Sequence, residues 1–169
     1  MVIHDKLGPE KIIEVYDSKT GMKGFVVIDN TKRGPGKGGI RMTSTITVEE
    51  VSRLARTMTL KCSLSDLPFG GAKSGIIAND KKISVKEKNK LVSAFAKSLK
   101  NISPKEYIAA PDMNTGEKEM AVYAKSNGDM RSCTGKPSNL CVRPGKECGL
   151  PHEYGSTGFG VAKSTLVSI

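Results

Sequence analysis

The sequence predicts an α/β fold: a three-layer sandwich with a mixed sheet that begins with a β-hairpin. Two strand-like segments near the start are separated by the turn sequence DSKTGMK. After them, short apolar strand-like segments alternate with amphipathic helical segments. This alternation is typical of a sheet covered by helices. At 169 residues the chain is long enough for one domain with a real core.

The first half contains the hairpin, a short strand and a helix. Residues 11–16 and 24–28 are rich in β-branched side chains and predict strands, with an exposed hairpin edge able to pair with another subunit. Residues 30–39 are interpreted as a loop, and residues 40–42 as a short strand. Thr47 and Glu50 predict a capping box. The helix that follows has an apolar stripe at helical spacing, formed by Val51, Leu54, Ala55, Met58 and Cys62.

The second half repeats the alternation. Residues 67–72 predict a glycine-rich turn, followed by a buried strand at 75–78. Ser84 and Glu87 predict a capping box for a helix with an apolar inner face. A strand is expected at 107–110 and a helix at 116–127 capped by Thr115. Residues 128–155 read as an irregular connection, and residues 156–169 as a final helix.

Composition narrows the function classes. The chain has 27 basic and 17 acidic residues, a net charge of +10 that suits acidic metabolites, nucleic acid or an acidic partner. The lysines are dispersed and no aromatic-rich stretch is present, which argues against nucleic acid. No run of 18 apolar residues and no signal peptide are present, so we expect a cytoplasmic protein without a membrane span.

The four cysteines are expected to be ordinary reduced thiols, with no metal bound. No CxxC pair occurs, and an intracellular chain keeps its thiols reduced. A zinc site is the alternative, with Cys133, Cys141, Cys148 and His152 as candidate ligands. Their spacings of 8, 7 and 4 residues fit no zinc motif well.

Three lysines and one aspartate are the candidate functional residues. Lys37 and Lys73 are flanked by glycines, which let a ligand approach the backbone, and Lys61 lies near the end of the predicted helix between them. Converging ammonium groups suit an anion with several oxygens and depress one another's pKa. Asp112 follows a strand, where α/β sheets place their ligands. Solvated lysines in flexible loops, and a capping role for Asp112, are the alternatives.

Several common motifs are not satisfied. GGAKS lacks the spacing of a phosphate-binding P-loop because Ala72 precedes Lys73. The glycines of STGFG do not form the dinucleotide fingerprint G-x-G-x-x-G, and no strong strand precedes them. With two histidines in the chain, a histidine-based nucleophile relay is not expected.

Five fragments occur in an order that resembles one family: GPGKGGIRM, MTLKCSLSDLPFGGAKSGI, APDMNTGEKEM, CTGKP and STGFGV. The lysines are separated by 24 and 12 residues, and the aspartate follows after a further 39. The chain thereby resembles the glutamate/leucine/phenylalanine/valine dehydrogenase family. The resemblance implies that residues 1–150 form its substrate-binding and oligomerisation domain. Residues 151–169 would be a helix leading toward an absent NAD(P)-binding Rossmann domain.

The resemblance also implies roles for individual residues. Lys37 would hold the substrate's side-chain carboxylate, and Lys61 the α-carboxylate with Met58 beside it. Lys73 would be the catalytic lysine, with a pKa lowered by cationic neighbours so that it activates water. Asp112 would move a proton to and from the amino group. In the same pocket the backbone at Pro111 would lie against the substrate, and Thr157 would approach the nicotinamide.

The resemblance implies that the chain is the substrate-binding part of an NAD(P)-dependent glutamate dehydrogenase. Its substrates and products would be L-glutamate, 2-oxoglutarate and ammonia. The family also implies a homo-oligomer, specifically a hexamer. Lys37 favours glutamate, because an unpaired buried lysine would penalise an apolar substrate. A leucine- or valine-type dehydrogenase domain, and a non-catalytic assembly or basic binding module, are the alternatives. Glu153 stands where glutamate dehydrogenases usually carry arginine. This difference weakens the inference that the chain makes the family's cofactor contacts at that end.

Overall fold

The computed structural model describes residues 2–150 and 152–169. A five-stranded sheet forms the centre of the fold, in the order β1-β2-β4-β3-β5. Its strands are β1 (Lys11–Asp17), β2 (Met22–Asn30), β3 (Gly36–Thr43), β4 (Gly70–Ile77) and β5 (Tyr107–Pro111). The first three in this order pair antiparallel, whereas β3 runs parallel to both β4 and β5. The predicted hairpin and mixed sheet are confirmed.

Helices cover both faces of the sheet. Helix α1 (Val48–Leu64) lies on one face, and α2 (Val85–Ser98) and α3 (Glu117–Asn127) lie on the other. A fourth helix, α4 (Ser156–Ser168), contains no buried residue. The largest core cluster lies between the sheet and α2 and α3, with Phe95 and Tyr123 among its buried side chains. A smaller cluster with Val51 and Ala55 lies beneath α1 on the opposite face. The three-layer sandwich is therefore confirmed.

Two glycine-rich segments predicted as irregular are in fact strands. Residues 36–39, placed in a loop by the sequence, open β3, and residues 70–72, placed in a turn, open β4. Both strands are central, where backbones approach closely. A Cβ on Gly38 would lie 1.7 Å from the carbonyl oxygen of Ala72. The glycines here relieve tertiary crowding and do not mark turns.

The helix caps agree only in part with the predictions. Ser84 and Glu87 form the predicted capping box of α2. Thr47 caps α1 by accepting from the Glu50 N–H, but the Glu50 carboxylate binds Arg41. At the third cap the prediction was wrong: α3 begins after Gly116. The hydroxyl of Thr115 instead donates to the carbonyl of Ile40 at 2.6 Å, which ties the loop to β3.

The cysteine prediction holds for one pair of thiols and fails for the other. Cys62 and Cys133 are free and buried. Cys141 and Cys148 form a disulfide, contrary to the expectation of reduced thiols. Residues 141–143 (β6) and 146–148 (β7) make a small hairpin within the connection predicted to be irregular, and its register places the two cysteines opposite each other. Thiols joined in this way cannot serve as zinc thiolates.

Among residues 2–150 and 152–169, no group of three or more His, Cys, Asp or Glu side chains is placed to hold a metal ion. The side chain of His152, a candidate ligand in the zinc alternative, lies outside the described residues. No helix in the described part of the chain has the length and apolar character needed to cross a membrane.

Candidate functional site

The candidate site lies on the face of the sheet that carries α1. The helix packs on β4, where a Cβ on Gly71 would lie 2.1 Å from the backbone nitrogen of Thr59. It leaves β5 partly uncovered: Ile108 and Ala110 on this face are partly exposed, while Tyr107 and Ala109 on the other face are fully buried. Side chains of β3, β4 and β5 can therefore meet a ligand on this part of the sheet.

Lys73 and Asp112 form an ion pair across the central strand. The Lys73 Nζ lies 2.8 Å from the Asp112 Oδ2, and the Lys73 side chain is buried. Arg41 donates from its Nε to the same Oδ2 at 2.9 Å, and from its NH1 to Glu50 at 2.7 Å. Alternation along β3 places Arg41 on the same face as Lys37. Strands β4, β3 and β5 thus each contribute to one polar cluster.

The electrostatics of Asp112 favour its ionised form. Burial raises the pKa of this carboxyl group, but hydrogen bonds from Lys73 and Arg41 outweigh burial and bring the pKa below its ordinary value. Both cations bind Oδ2. Among the described residues, no hydrogen bond occupies Oδ1, so this oxygen is available to a donor from a ligand.

Gly39 makes room for the pair. It occupies the position of β3 that lies between Lys73 and Asp112 on the same face. A Cβ there would lie 2.6 Å from the Pro111 carbonyl oxygen and 2.8 Å from the Asp112 Cβ. Any side chain would push the end of β5 away, so the contact between Lys73 and Asp112 depends on this glycine.

Lys37 lies at the other end of β3, toward the segment 133–137 that follows α3. Its Nζ donates to the Ala109 carbonyl at 2.9 Å and to the Thr134 hydroxyl at 2.5 Å. Burial lowers the pKa of Lys37 to about 8, and the positive charge of Lys136 adds to this effect. The shift is mainly the one expected when an ammonium group is buried without a counter-ion.

Met58 and Lys61 approach from α1. Met58 is partly buried, and Lys61 is exposed in the last turn of the helix. Burial raises the pKa of the Cys62 thiol, and the charges of Lys37 and Lys61 oppose that rise. Convergence of Lys61 and Lys37 on one ligand stays a prediction.

Pro111 and Thr157 mark the remaining side of the site. Pro111, at the end of β5, is exposed and its ring packs on Gly135, where a Cβ would lie 2.4 Å away. Pro111, Gly135 and Ser156 line one cavity of about 740 Å³. Thr157 follows Ser156 in the first turn of α4 and is exposed. The structure thus brings the start of α4 near Pro111, without a contact between Thr157 and the Lys73–Asp112 pair.

Sequence reasoning missed two residues of this region, Arg41 and Lys136. Arg41 follows Gly39 by two residues and Lys37 by four, so in a strand the three residues lie on one face. This alternation was not recognised because residues 36–39 were interpreted as a loop. Lys136 lies in the CTGKP fragment, and no local pattern indicated its burial. The structure places it under the 141–148 hairpin with 5% of its surface exposed.

Comparison with known proteins shows the family of the chain. Residues 9–127 match the family model described as Glu/Leu/Phe/Val dehydrogenase, dimerisation domain. The chain belongs to this family. It is 48% identical over 134 residues to glutamate dehydrogenase A2 of Halobacterium salinarum, covering 79% of the chain and 32% of that protein. It is 42% identical over 140 residues to the mitochondrial glutamate dehydrogenase of Dictyostelium discoideum, covering 76% and 26%.

A solved family member has the same fold. The hetero-hexameric glutamate dehydrogenase of Thermus thermophilus, in its leucine-bound form, aligns with a TM-score of 0.68 and 32% identity, over 76% of this chain and 34% of that one. The chain spans about a third of the length of the curated relative from Halobacterium. The family assignment therefore applies to this domain.

Proposed function

We propose that the chain is the substrate-binding part of an NAD(P)-dependent glutamate dehydrogenase, which catalyses the reversible oxidative deamination of L-glutamate to 2-oxoglutarate and ammonia. The observation that carries the proposal is the buried Lys73–Asp112 pair with its free carboxylate oxygen. Relatives named as glutamate dehydrogenases at 48% and 42% identity support the substrate. The division of the chain near residue 150 into this domain and a connecting helix is part of the proposal.

Substrate recognition would use the lysines at the two ends of the site. Lys37 would bind the distal carboxylate, and Lys61 the α-carboxylate, with Met58 lining the aliphatic part. A carboxylate held by an ammonium group gains a charge-assisted hydrogen bond. The backbone at Pro111 would limit how the substrate turns between these anchors. The scissile Cα–N bond would then lie near Lys73 and Asp112.

The chemistry would follow from the position of the free Asp112 oxygen. In the direction of deamination, Oδ1 would accept a proton from the substrate ammonium, while Arg41 and Lys73 hold Oδ2. Lys73 would first lose its ammonium proton to solvent, and in its neutral form it would take a proton from the water that attacks the imine carbon. Asp112 would return the proton that it accepted to the amino nitrogen, which then leaves as ammonia. Lys73 and Asp112 are 2.8 Å apart, so the proton taken up by Lys73 can pass directly to Asp112 for the next cycle.

NAD or NADP would accept the hydride from the substrate Cα. The exposed first turn of α4, with Thr157, fits a group that approaches from outside this domain, because it borders the same cavity as Pro111. We propose that a separate Rossmann domain holds most of the cofactor, since hydride transfer requires the nicotinamide to lie against the substrate. Thr157 would contact the nicotinamide end.

Two alternatives remain open to experiment. A leucine- or valine-type substrate would need an apolar end to the pocket, and Lys37 opposes it because a buried ammonium group without a counter-ion is costly. A non-catalytic assembly or basic binding module would not need the Lys73–Asp112 pair. We further propose a homo-oligomer, a hexamer by analogy with the hetero-hexameric Thermus protein, and a cytoplasmic location. Nucleic acid is not a proposed partner.

Substitution of Lys73 tests the proposal. In an enzyme that combines this chain with a cofactor domain, Lys73→Ala should lower kcat by at least about a thousandfold, because proton transfer at the reacting carbon is lost. Glutamate-dependent NAD(P)H formation measures the effect, and circular dichroism checks the fold. Exposed Lys81→Ala is the matched control. Retained turnover in Lys73→Ala would remove Lys73 from the mechanism, and a wild type active on no amino acid would remove the proposed function.

A further inference from the structure

Lys136 is a buried lysine that the proposed reaction does not yet use. Only 5% of its surface is exposed, and its Nζ donates to the Cys133 carbonyl three residues earlier. Within the described residues, no carboxylate pairs with it. Burying an ammonium group without a counter-ion is costly, so a ligand that supplies negative charge is the natural complement.

Lys136 and Lys37 approach the same short stretch of backbone. Ala109 of β5 pairs with Cys133 in a single parallel bridge, and the Thr134 N–H donates to the Ala109 carbonyl at 3.0 Å. Lys37 donates to that carbonyl and to the Thr134 hydroxyl, while Lys136 donates to the carbonyl of Cys133. The two carbonyls that hold the ammonium groups belong to peptide groups joined by this hydrogen bond, and the charge of Lys136 contributes to the lowered pKa of Lys37.

Donor counting leaves hydrogens for a ligand. An ammonium group has three donors. Lys37 uses two of them and Lys136 one, so three N–H donors remain without a partner among the described residues. A carboxylate offers two oxygens and about four acceptor positions, enough to accept from both lysines at once. Lys136 also lines a cavity of about 500 Å³ with Thr134 and Ile108, so a ligand has access.

We propose that Lys136 is a second specificity-determining cation, which shares the distal carboxylate of a dicarboxylic substrate with Lys37. The inference rests on the proposed function and extends it, because that function assigns this carboxylate to Lys37 alone. Lys136 holds no role in the proton transfers at Lys73 and Asp112. Its contribution is therefore expected in binding and in discrimination between dicarboxylic and monocarboxylic ligands.

Binding of two matched ligands tests the inference on the 169-residue chain. Glutarate carries two carboxylates and butyrate one, and calorimetric titration measures the Kd of each. Lys136→Met removes the charge at similar volume and should weaken glutarate binding roughly tenfold to a hundredfold, the range for a hydrogen bond to a charged group. Butyrate binding should change less than about threefold. Lys136→Arg should retain most of the glutarate affinity, and exposed Lys118→Met is the control.

Thermal unfolding separates a ligand-binding role from a structural one. If the charge of Lys136 is compensated only by a bound anion, Lys136→Met removes an uncompensated buried charge from the ligand-free protein. The Tm without ligand should then be unchanged or higher. A lower Tm together with equal losses for glutarate and butyrate would show a structural role and overturn the inference. So would unchanged glutarate affinity in Lys136→Met, or no glutarate binding by the wild type. Turnover of glutamate with a normal KM in Lys136→Met would overturn this inference while leaving the proposed function intact.

Discussion

Lys37 and Lys73 occupy the same face of neighbouring strands, yet their surroundings differ. Lys73 is buried and paired with Asp112, which also binds Arg41. Lys37 meets neutral oxygens and a second cation, Lys136, and its pKa is lowered to about 8. This difference supports the proposal that Lys73 takes part in proton transfer, whereas Lys37 binds an anion that neutralises it.

The pKa of Lys37 predicts how substrate binding depends on pH. Because this pKa is lowered, the ammonium form is fully present well below pH 8 and is lost as the pH rises through about 8. In the complete enzyme, KM for glutamate should therefore be flat below this range and rise above it, approaching about tenfold per pH unit. Steady-state kinetics from pH 6.5 to 9.5 provide the measurement.

A control substrate and a control variant test whether Lys37 causes this pH dependence. Norvaline has no distal carboxylate, so its KM should lack the rise near pH 8. Lys37→Arg keeps its charge throughout this range and should flatten the glutamate profile. An identical rise for both substrates, or an unchanged profile in Lys37→Arg, would assign the titration to another group.

At the scale of elements, α1 is held on the sheet by a buried carboxylate. Asp29 on β2 is 1% exposed, and its Oδ2 accepts from Arg56 Nε at 2.9 Å and from the Thr59 hydroxyl at 2.5 Å. The other nitrogens of Arg56 bind both oxygens of Asp5. This network connects the N-terminal segment, β2 and the helix that carries Met58 and Lys61.

Removal of Arg56 should loosen that connection. Arg56→Ala leaves Asp29 buried with the single Thr59 donor, and loss of one partner of a buried pair costs about 3–5 kcal/mol of unfolding free energy. Urea unfolding followed by circular dichroism measures the change. Arg33→Ala breaks the exposed pair with Asp66 and should cost less than about 1 kcal/mol. Equal effects of the two substitutions would contradict the role assigned to Asp29.

For the molecule as a whole, the two ends of the sheet differ. The outer side of β5 is bridged by Cys133 and followed by the disulfide hairpin. Strand β1 is the other end, and within the described residues nothing pairs with its outer edge. Ile12 and Tyr16 lie on the same face of the sheet as Val27 and α1, and they are 40% and 60% exposed. An apolar edge strand of this kind is suited to pair with another copy of the chain.

A charge on this edge should therefore disrupt assembly. Ile12→Lys should leave the fold intact, because its side chain is already exposed, but should shift the chain from an oligomer to smaller species in sedimentation velocity. Val85→Lys places the same charge on α2 at a side chain that is 70% exposed, and should leave the assembly unchanged. An unaltered oligomer in Ile12→Lys, or a monomeric wild type, would exclude β1 as the interface.

The elements that the sequence predicted correctly are those with strong local signals. Ser84 and Glu87 satisfy each other across one turn, so the start of α2 could be recognised without the rest of the molecule. The helical stripe containing Val51 and Ala55 reflects a periodicity written in consecutive residues. Lys73 and Asp112 were identified as site residues through the family resemblance, and the structure places them in contact.

The sequence by itself determined the α/β class, the order of elements and the family to which the lysines belong, because these depend on periodicity, caps and ordered fragments along the chain. Tertiary structure alone decided the rest. Glycine-rich segments can form central strands because glycine has no Cβ, and a Cβ on Gly38 or Gly39 would collide with neighbouring strands. Lys136 is buried by residues distant in sequence, which leaves no local pattern. The alternation that puts Arg41 beside Lys37 is informative only once residues 36–39 are known to be a strand.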